Sequence, residues 1–202
     1  MFCNLKDRAL LKISGSDSES FLHNQLSNDI LNINSSLVQI NAYCQHQGKI
    51  LALFWVVKKD DFFMISFPND LLDVIMHRLK MFVIMSDVII EDVSEIFYQI
   101  GLIHEKNADA FVINYDLSLL ILDSVDSIQD LLSETQVWDL ACINSLLPDV
   151  YSATSEKLVP QMLNLDINEI GVNFSKGCYP GQEVVARLHY LGSAKRRLFS
   201  FR

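Results

Sequence analysis

The chain has 202 residues, half of them apolar, and a net charge of −9 at pH 7. It can bury one sizeable core or two small ones, and no apolar run approaches the roughly 18 residues that cross a bilayer. Its acidic balance argues against general nucleic-acid binding, because phosphate groups need a basic surface. We therefore expect a soluble globular protein with no direct nucleic-acid partner and no membrane partner.

The first third of the chain predicts a helix and a set of hairpins. Ser16 and Glu19 form a capping box, which predicts a helix from there to about Leu26. Apolar runs predict strands at residues 10–13, 37–44, 50–57 and 62–67. Short turns join the last three strands, an order that is typical of antiparallel pairing.

Strands and helices also alternate through the rest of the chain. Residues 69–81 predict a helix because their apolar residues recur at helical spacing. Shorter patterns predict strands at 88–93, 97–103, 111–113 and 119–122, a short helix at 105–110 and a long helix at 133–147. The complete set indicates an α+β fold in which helices cover mixed or antiparallel sheets.

The segment Lys176–Arg187, KGCYPGQEVVAR, is the best candidate for a site, because it sets a lone cysteine between glycines and polar side chains. Pro180 suits the first position of a helix, so Cys178 is expected just ahead of a helix N-terminus. The free amides, the helix dipole and Lys176 would favour a thiolate there. A single cysteine near a glycine turn is, however, more often a small buried hydrophobe than a reactive thiol.

Other motifs give little support to a metal site or a common enzyme class. Four cysteines, Cys3, Cys44, Cys142 and Cys178, are scattered without a Cys-x-x-Cys pair. This argues against structural zinc or a self-contained iron–sulfur cluster, while a cluster shared with another protein stays open, so no metal ligands are assigned. No signal-peptide core is seen, which fits a reducing cytoplasm. The histidines lack metalloprotease spacing and are expected in surface or packing roles.

Read whole, KGCYPGQEVVAR resembles the signature of the YgfZ family, folate-binding relatives of the glycine-cleavage T-protein that support iron–sulfur enzymes. The family usually has Thr or Ser in place of Pro180. Residues 21–29, FLHNQLSND, resemble its FLQGQLTND helix, residues 42–52 its first hairpin, and residues 159–166, VPQMLNLD, its PQ-x-x-NLD segment. The resemblance spans about residues 8–202.

The resemblance implies two N-terminal domains around a central channel, followed by a C-terminal β-barrel. We expect residues 1–195 to form the folate-binding region, as two intertwined α+β subdomains. Residues 196–202 are expected to be only the start of a barrel that is otherwise absent, in a chain that is either naturally short or a fragment.

The family also implies a cofactor, tetrahydrofolate or a one-carbon derivative, and partners among iron–sulfur client or assembly proteins. A pterin needs a carboxylate or amide for its N–H groups and aromatic or apolar walls for its ring. The residues expected to line such a site are Asn28, Asp29, Tyr43, Tyr179, Gln182, Glu183 and Arg187. Cys178 is expected to be the functional thiol, with Lys176 beside it. Turn formation, core packing or a Glu183–Arg187 pair are the alternative explanations.

The T-protein resemblance contains a departure at Leu51, which falls where that protein has the acid implicated in aminomethyl transfer. An aliphatic side chain cannot stabilise a developing ammonium or relay a proton. We therefore expect a folate-binding accessory protein that supports the assembly, repair or activity of iron–sulfur enzymes, for example those that modify tRNA. Cys178 is expected to act as a nucleophile, a redox group or a transient iron–sulfur ligand. The alternatives are a tetrahydrofolate-dependent aminomethyltransferase of the T-protein class and a non-enzymatic protein-interaction module.

The C-terminal end differs in charge from the rest of the chain. Residues 176–202 carry a net charge of +5, which leaves −14 on residues 1–175. Lys195, Arg196 and Arg197 could hold the glutamate tail of a folate, or could be a solvated edge strand.

Overall fold

The computed structural model describes residues 1–200, which contain ten β-strands and four α-helices. The elements, in chain order, are β1 (Phe2–Asn4), β2 (Arg8–Ser14), α1 (Ser18–Gln25), β3 (Gln39–Cys44), β4 (Ile50–Lys59), β5 (Phe62–Pro68), α2 (Leu72–Phe82), β6 (Ile89–Asp92), β7 (Tyr98–Ile103), β8 (Phe111–Val112), β9 (Leu117–Leu122), β10 (Leu132–Ser133), α3 (Thr135–Asn144) and α4 (Gln182–Leu191).

The strands form two five-stranded sheets. Sheet I has the order β3-β4-β5-β2-β6 and is antiparallel throughout. Sheet II has the order β10-β1-β7-β9-β8 and is mixed, because β1 and β10 run parallel. The predicted α+β class with mixed or antiparallel sheets is confirmed, and residues 1–200 form no closed barrel. Within the same residues, no helix is long and apolar enough to cross a bilayer.

Sheet I is buried on both faces at its centre. Every residue of β4 from Ile50 to Val57 is buried, which explains why this strand is a continuous apolar run rather than an alternating one. One face packs against α1 and α2 and carries three aromatic rings. The ring centroid of Phe54 lies 5.4 Å from that of Tyr43 and 5.2 Å from that of Phe67. The other face packs with sheet II in a separate core.

Two tryptophans join the sheets through α3. Trp55 of β4 meets Trp138 of α3 edge-on, with ring centroids 6.1 Å apart. Trp138 also lies over Gly101 of β7, where a Cβ atom would stand 2.4 Å from the indole ring. Gly101 is therefore required for α3 to pack closely on sheet II.

Several predictions of local structure are wrong. Ser16 does not cap α1; its backbone N–H and hydroxyl donate to Asp87 Oδ2 at 3.0 and 2.9 Å, and the helix begins at Ser18. Residues 105–110 form turns rather than a helix, because the chain crosses there between strands of sheet II. The helix predicted at 133–147 is shorter and follows β10.

The C-terminal signature is helical, but its helix begins later than predicted. Pro180 lies in a turn, and α4 begins at Gln182 after Gly181, whose φ is +84°. The predicted edge strand near residue 195 is also wrong, since residues 193–200 form no strand. Residues 201–202, at the end of the expected barrel start, lie outside the described residues.

We predict that Gly101→Ala destabilises the fold by about 1–3 kcal/mol, because the added methyl group would force Trp138 away from β7. Urea unfolding followed by tryptophan fluorescence would measure the loss. Gly177→Ala is the matched control, since a Cβ there meets only His23 Nε2, at an ordinary 3.7 Å. Equal stability of the two variants would contradict the packing of Trp138 described above.

Candidate functional site

The segments singled out in the sequence meet around Lys176. Its Nζ donates hydrogen bonds to the carbonyl oxygens of His23, Leu26 (2.5 Å) and Asn28 (3.1 Å). These carbonyls lie at and just beyond the end of α1, where helical carbonyls lack partners. An ammonium has three N–H donors, so all of them are used. Lys176 therefore fastens the signature segment (Lys176–Arg187) to the end of α1.

The environment of Lys176 changes its acidity. The residue is only 9% exposed, and burial lowers the pKa of its ammonium to about 8, while the carboxylate of Asp29 opposes this shift. The ring centroid of Tyr179 lies 5.3 Å from Nζ. The charge is thus held in a largely enclosed place, in which the carbonyl oxygens replace water.

Two glycines make a second contact between the signature and the first hairpin. Gly48 and Gly181 both have positive φ, +76° and +84°. A Cβ on Gly181 would lie 2.5 Å from Gln45 O and 2.7 Å from Gly48 Cα. The backbones of the β3–β4 turn and the signature therefore touch directly, which only glycine permits.

Asn28 is buried and fully used by the fold. Its Nδ2 donates to Ile40 O at 3.1 Å and Ile170 O at 3.2 Å, and its backbone N–H donates to Asn41 Oδ1 at 3.0 Å. The neighbouring Ser27 donates its hydroxyl to Gly171 O at 2.5 Å. These bonds join α1, β3 and the loop before the signature.

Asp29 is half-buried and organises the turn after α1. Its carboxylate accepts hydrogen bonds from Leu31 N (3.1 Å) and from Asn32 Nδ2 (2.7 Å). Its Oδ1 also lies 3.3 Å from His23 Nδ1. The Asp29 carboxylate therefore stabilises its own turn and also contacts His23 of α1.

Tyr43 and Tyr179 are buried rather than displayed. Tyr43 stacks on Phe54 at 5.4 Å, and burial raises the pKa of its phenol to about 12, although the nearby Arg78 lowers it. Burial likewise raises the pKa of Tyr179. Both phenols therefore stay protonated at neutral pH.

Cys178 is the exposed member of the four cysteines. Cys3 and Cys44 are buried, and burial raises the pKa of Cys142 to about 12. The alternative that Cys178 is a small buried hydrophobe is therefore wrong. A reagent in solution would meet this thiol first.

The charged and amide side chains that α4 contributes to the signature lie at the surface or near their own loop, whereas Val185 packs into the core. Glu183 and Arg187 are exposed, and they form no ion pair in the part of the chain that the structure describes. Gln182 is half-buried, and its Nε2 lies 3.5 Å from Lys176 O.

A cavity of about 610 Å³ lies elsewhere, beside α3. Its walls are largely aromatic and aliphatic, and the residues that form them include Trp55, Trp138, Ile143, Leu147, Pro148, Tyr151 and Leu163. The polar side chains in the lining are Asp7, Arg8, Thr135, Asp139, Asp149 and Ser200, besides the phenol of Tyr151. None of the site residues predicted from the sequence lines this cavity.

Arg8 and Asp149 form a buried ion pair in the cavity wall, with side chains 9% and 12% exposed. Arg8 Nη1 donates to Asp149 Oδ2, its Nε donates to Ser66 Oγ at 2.8 Å, and its guanidinium lies 3.6 Å over the Trp55 ring. Arg8 Nη2 and Trp55 Nε1 have no hydrogen-bond partner in residues 1–200. Burial raises the pKa of Asp149, and Arg8 opposes that rise.

Residues 198–200 complete the cavity wall. They are held by Arg197, whose Nη1 and Nη2 donate to the Asp166 carboxylate at 2.5 and 2.9 Å, and by Asn164 Nδ2, which donates to Leu198 O at 2.8 Å. Of the basic cluster, Arg197 is thus committed to Asp166, while Lys195 and Arg196 are exposed.

Sequence reasoning missed the cavity residues for a physical reason. They come from parts of the chain as far apart as β2, β4, α3 and residues 198–200, so no local spacing joins them. Two features of the sequence point weakly to the cavity. Arg8 is a charged residue at the start of an apolar strand, and the chain has only two tryptophans, both of which line the cavity. Among residues 1–200, no group of three or more His, Cys, Asp or Glu side chains could hold a metal ion.

The chain aligns with bacterial relatives over its whole length, although no family model matches it. An uncharacterised protein of Haemophilus influenzae is 30% identical over 208 residues, covering 100% of this chain and 73% of that protein. A tRNA-modifying protein YgfZ of Colwellia psychrerythraea is 27% identical, covering 96% of this chain and 69% of that one. The YgfZ of Klebsiella pneumoniae is 28% identical, covering 97% and 69%. The chain belongs to the YgfZ family.

The fold of this chain is also similar to that of a solved structure. The aminomethyltransferase T of the glycine cleavage system from Bartonella henselae superposes with a TM-score of 0.71 at 10% identity, over 93% of this chain. The chain spans 63% of the length of that aminomethyltransferase. At this identity the likeness concerns the fold alone.

We predict that Lys176→Met destabilises the protein by about 2 kcal/mol at pH 7, because three buried carbonyls lose their donor. The difference from wild type should grow with pH. Since the pKa of Lys176 is about 8 in the fold and 10.5 ordinarily, the folded chain releases its proton before the unfolded chain. Wild type therefore gains stability relative to the variant between pH 8 and 10.5 and lacks that gain below pH 8.

Chemical denaturation at pH 7, 8, 9 and 10 would measure this difference. Lys106→Met, at an exposed position, is the control and should show neither the loss nor the pH trend. A difference between wild type and Lys176→Met that shrinks with rising pH would contradict the enclosed ammonium.

Proposed function

We propose that this YgfZ-family chain is a cytoplasmic accessory protein that binds tetrahydrofolate, or a one-carbon derivative of it, and supports the assembly, repair or activity of iron–sulfur enzymes. Enzymes that modify tRNA belong to the proposed clients, which is supported by the names of the YgfZ relatives. The partners are accordingly folate and iron–sulfur client or assembly proteins.

The observation that carries the ligand proposal is the cavity beside α3 with its buried Arg8–Asp149 pair. A pterin is a flat ring with N–H donors and ring acceptors, so it needs apolar walls and a few fixed polar groups. Trp138, Tyr151 and Leu147 supply such walls, and the Asp149 carboxylate is an acceptor for ring N–H groups. A volume of about 610 Å³ lies within the range of small-molecule sites.

The glutamate tail of a folate carries carboxylates, so basic side chains are expected near the opening of the cavity. Residues 198–200 line the cavity, and the exposed Lys195 and Arg196 precede them along the chain. We assign the glutamate tail to this side, since exposed ammonium and guanidinium groups attract carboxylates without a large desolvation cost.

The signature segment has a separate role in this proposal. Asn28, Tyr43 and Tyr179 are buried in the scaffold that holds the loop, and Lys176 fastens it. Cys178 remains as an exposed functional thiol, with Asp29, Gln182, Glu183 and Arg187 around or beside its loop. The thiol is proposed to act on a client, while the folate occupies the cavity.

Two other functions make different predictions. An aminomethyltransferase of the T-protein class would turn over an aminomethyl donor with tetrahydrofolate, and Leu51 is a buried aliphatic residue that offers it no carboxylate. A protein-interaction module would be indifferent to folate. Folate binding would exclude the interaction module, and the absence of turnover would exclude the aminomethyltransferase.

We predict saturable binding of tetrahydrofolate by calorimetry under reducing, anaerobic conditions. Arg8→Lys should weaken it roughly tenfold, because lysine keeps a charge for Asp149 but loses the planar contact with Trp55. Tyr151→Ala, at a half-exposed wall position, provides a second variant with little risk to folding. Cys178→Ala and Glu183→Ala are the controls and should bind as wild type does.

The pattern of losses locates the ligand. Weakening by Glu183→Ala with normal binding by Arg8→Lys and Tyr151→Ala would move folate to the signature segment. No binding at millimolar folate would overturn the folate assignment, and release of product from an aminomethyl donor would favour the transferase.

A further inference from the structure

One part of the cavity wall, the cavity strap (residues 193–200), lies outside regular secondary structure. The strap follows α4 without forming a helix or a strand, and its last three residues, Leu198, Phe199 and Ser200, line the cavity. None of the backbone–backbone hydrogen bonds within residues 1–200 involves the strap. Its hydrogen bonds to the rest of the fold are therefore made by side chains.

These hydrogen bonds come from a clasp of three residues, Asn164, Asp166 and Arg197. Arg197 Nη1 and Nη2 donate to the two carboxylate oxygens of Asp166 at 2.5 and 2.9 Å, and Asn164 Nδ2 donates to Leu198 O at 2.8 Å. Asn164 and Asp166 flank Leu165, which is 1% exposed and packs in the core between the sheets. The clasp therefore ties the strap to a fixed part of the fold.

The clasp is partly accessible to solvent. The side chain of Arg197 is 30% exposed and that of Asp166 is 8% exposed. A bidentate pair fixes the position of the guanidinium, but water and salt compete for the part of it that is exposed. Phe199 is 70% exposed, so its ring adds little apolar burial that would hold the strap down. Lifting the strap therefore breaks few contacts.

The rest of the cavity wall is held more firmly. Most of it comes from β2, β4 and α3, which belong to the sheets and the helix packed on them. The loop after α3 is irregular, but Leu147 N donates to Cys142 O at 2.9 Å and Ser152 N donates to Asp70 Oδ2 at 2.8 Å. Movement of the wall is therefore expected at the strap.

The two indole rings of the cavity are shielded from solvent. Trp55 is 2% exposed and Trp138 is 3% exposed, although both line the cavity. A flat ligand that binds against these rings has to reach them from solvent. Access to the rings therefore requires that part of the wall moves.

We propose that the cavity strap is a gate. Its clasp holds it closed, and release of the clasp moves residues 198–200 away from the cavity and admits a ligand. Only non-covalent contacts change in this step. The gate deepens the proposed function, since its role in admitting tetrahydrofolate rests on folate being the ligand of this cavity.

Quenching of tryptophan fluorescence by acrylamide measures the opening without any folate. Trp55 and Trp138 are the two tryptophans of the chain and both line the cavity, so the signal comes from this place alone. Acrylamide is small and uncharged, and it quenches a ring that it touches. We expect Asp166→Asn to raise the quenching constant roughly threefold, because an amide cannot form the charged bidentate pair.

Salt tests the same ion pair independently. Raising the NaCl concentration from about 0.05 M to about 1 M screens partly exposed charges, so it should increase quenching in wild type. It should leave quenching in Asp166→Asn unchanged, because that variant has no ion pair to screen. A wild-type quenching constant that does not respond to salt would contradict the role of the pair.

The controls separate opening of the strap from loss of the fold. Glu169→Gln removes the same charge from an exposed position in the same segment, and it should be quenched as wild type is. Arg197→Gln breaks the pair from the side of the strap, and the double variant with Asp166→Asn should open no further than either single variant. Wild-type quenching of Arg197→Gln, with an unchanged thermal midpoint, would overturn the gate.

The gate and the folate assignment can fail separately. Asp166→Asn should release bound tetrahydrofolate faster than wild type does. Normal folate binding, with neither quenching nor release changed by the clasp variants, would overturn the gate and leave the folate assignment standing. Quenching that responds to the clasp in a chain that binds no folate at millimolar concentration would support the gate and overturn the folate assignment.

Discussion

A buried ammonium group must be surrounded by acceptors, and Lys176 meets this constraint at the end of α1. The carbonyl oxygens at the end of α1 lack hydrogen-bond donors, and the ammonium group supplies them. With Lys176 placed, Gly177 and Cys178 are carried to the surface, and Tyr179 turns back into the core. The exposure of the thiol is thus a consequence of where the neighbouring charge has to be.

In the proposed function, ligand binding and support of the thiol loop belong to different parts of the molecule. Most polar residues of the motifs are consumed in holding α1, the first hairpin and the signature together; Asn28 is the clearest case. The cavity draws its polar groups from other elements, through Arg8 and Asp149. A motif residue can therefore be indispensable for a site without touching the ligand, because a rigid scaffold positions the residues that do.

Local patterns predicted much of the fold but little of the site. The strands of sheet I and both helices around them follow from apolar periodicity and turns, which act within a few residues. The capping box failed because Ser16 has a better partner in Asp87, which is remote in sequence. Cys178 was found because glycines and polar residues mark its loop, whereas Trp138 acquires its role only by packing against Gly101. Contacts between residues distant in sequence produce no local sequence pattern from which they could be predicted.

The fastening of α1 by Lys176 joins groups 153 positions apart in the chain. Closing a loop of this length has an entropic cost, which must be overcome before the bond contributes to stability. During synthesis the end of α1 would wait, unsatisfied, for the signature to leave the ribosome. A single proteolytic cut in between would turn this intramolecular bond into an association of two fragments, at a far lower effective concentration.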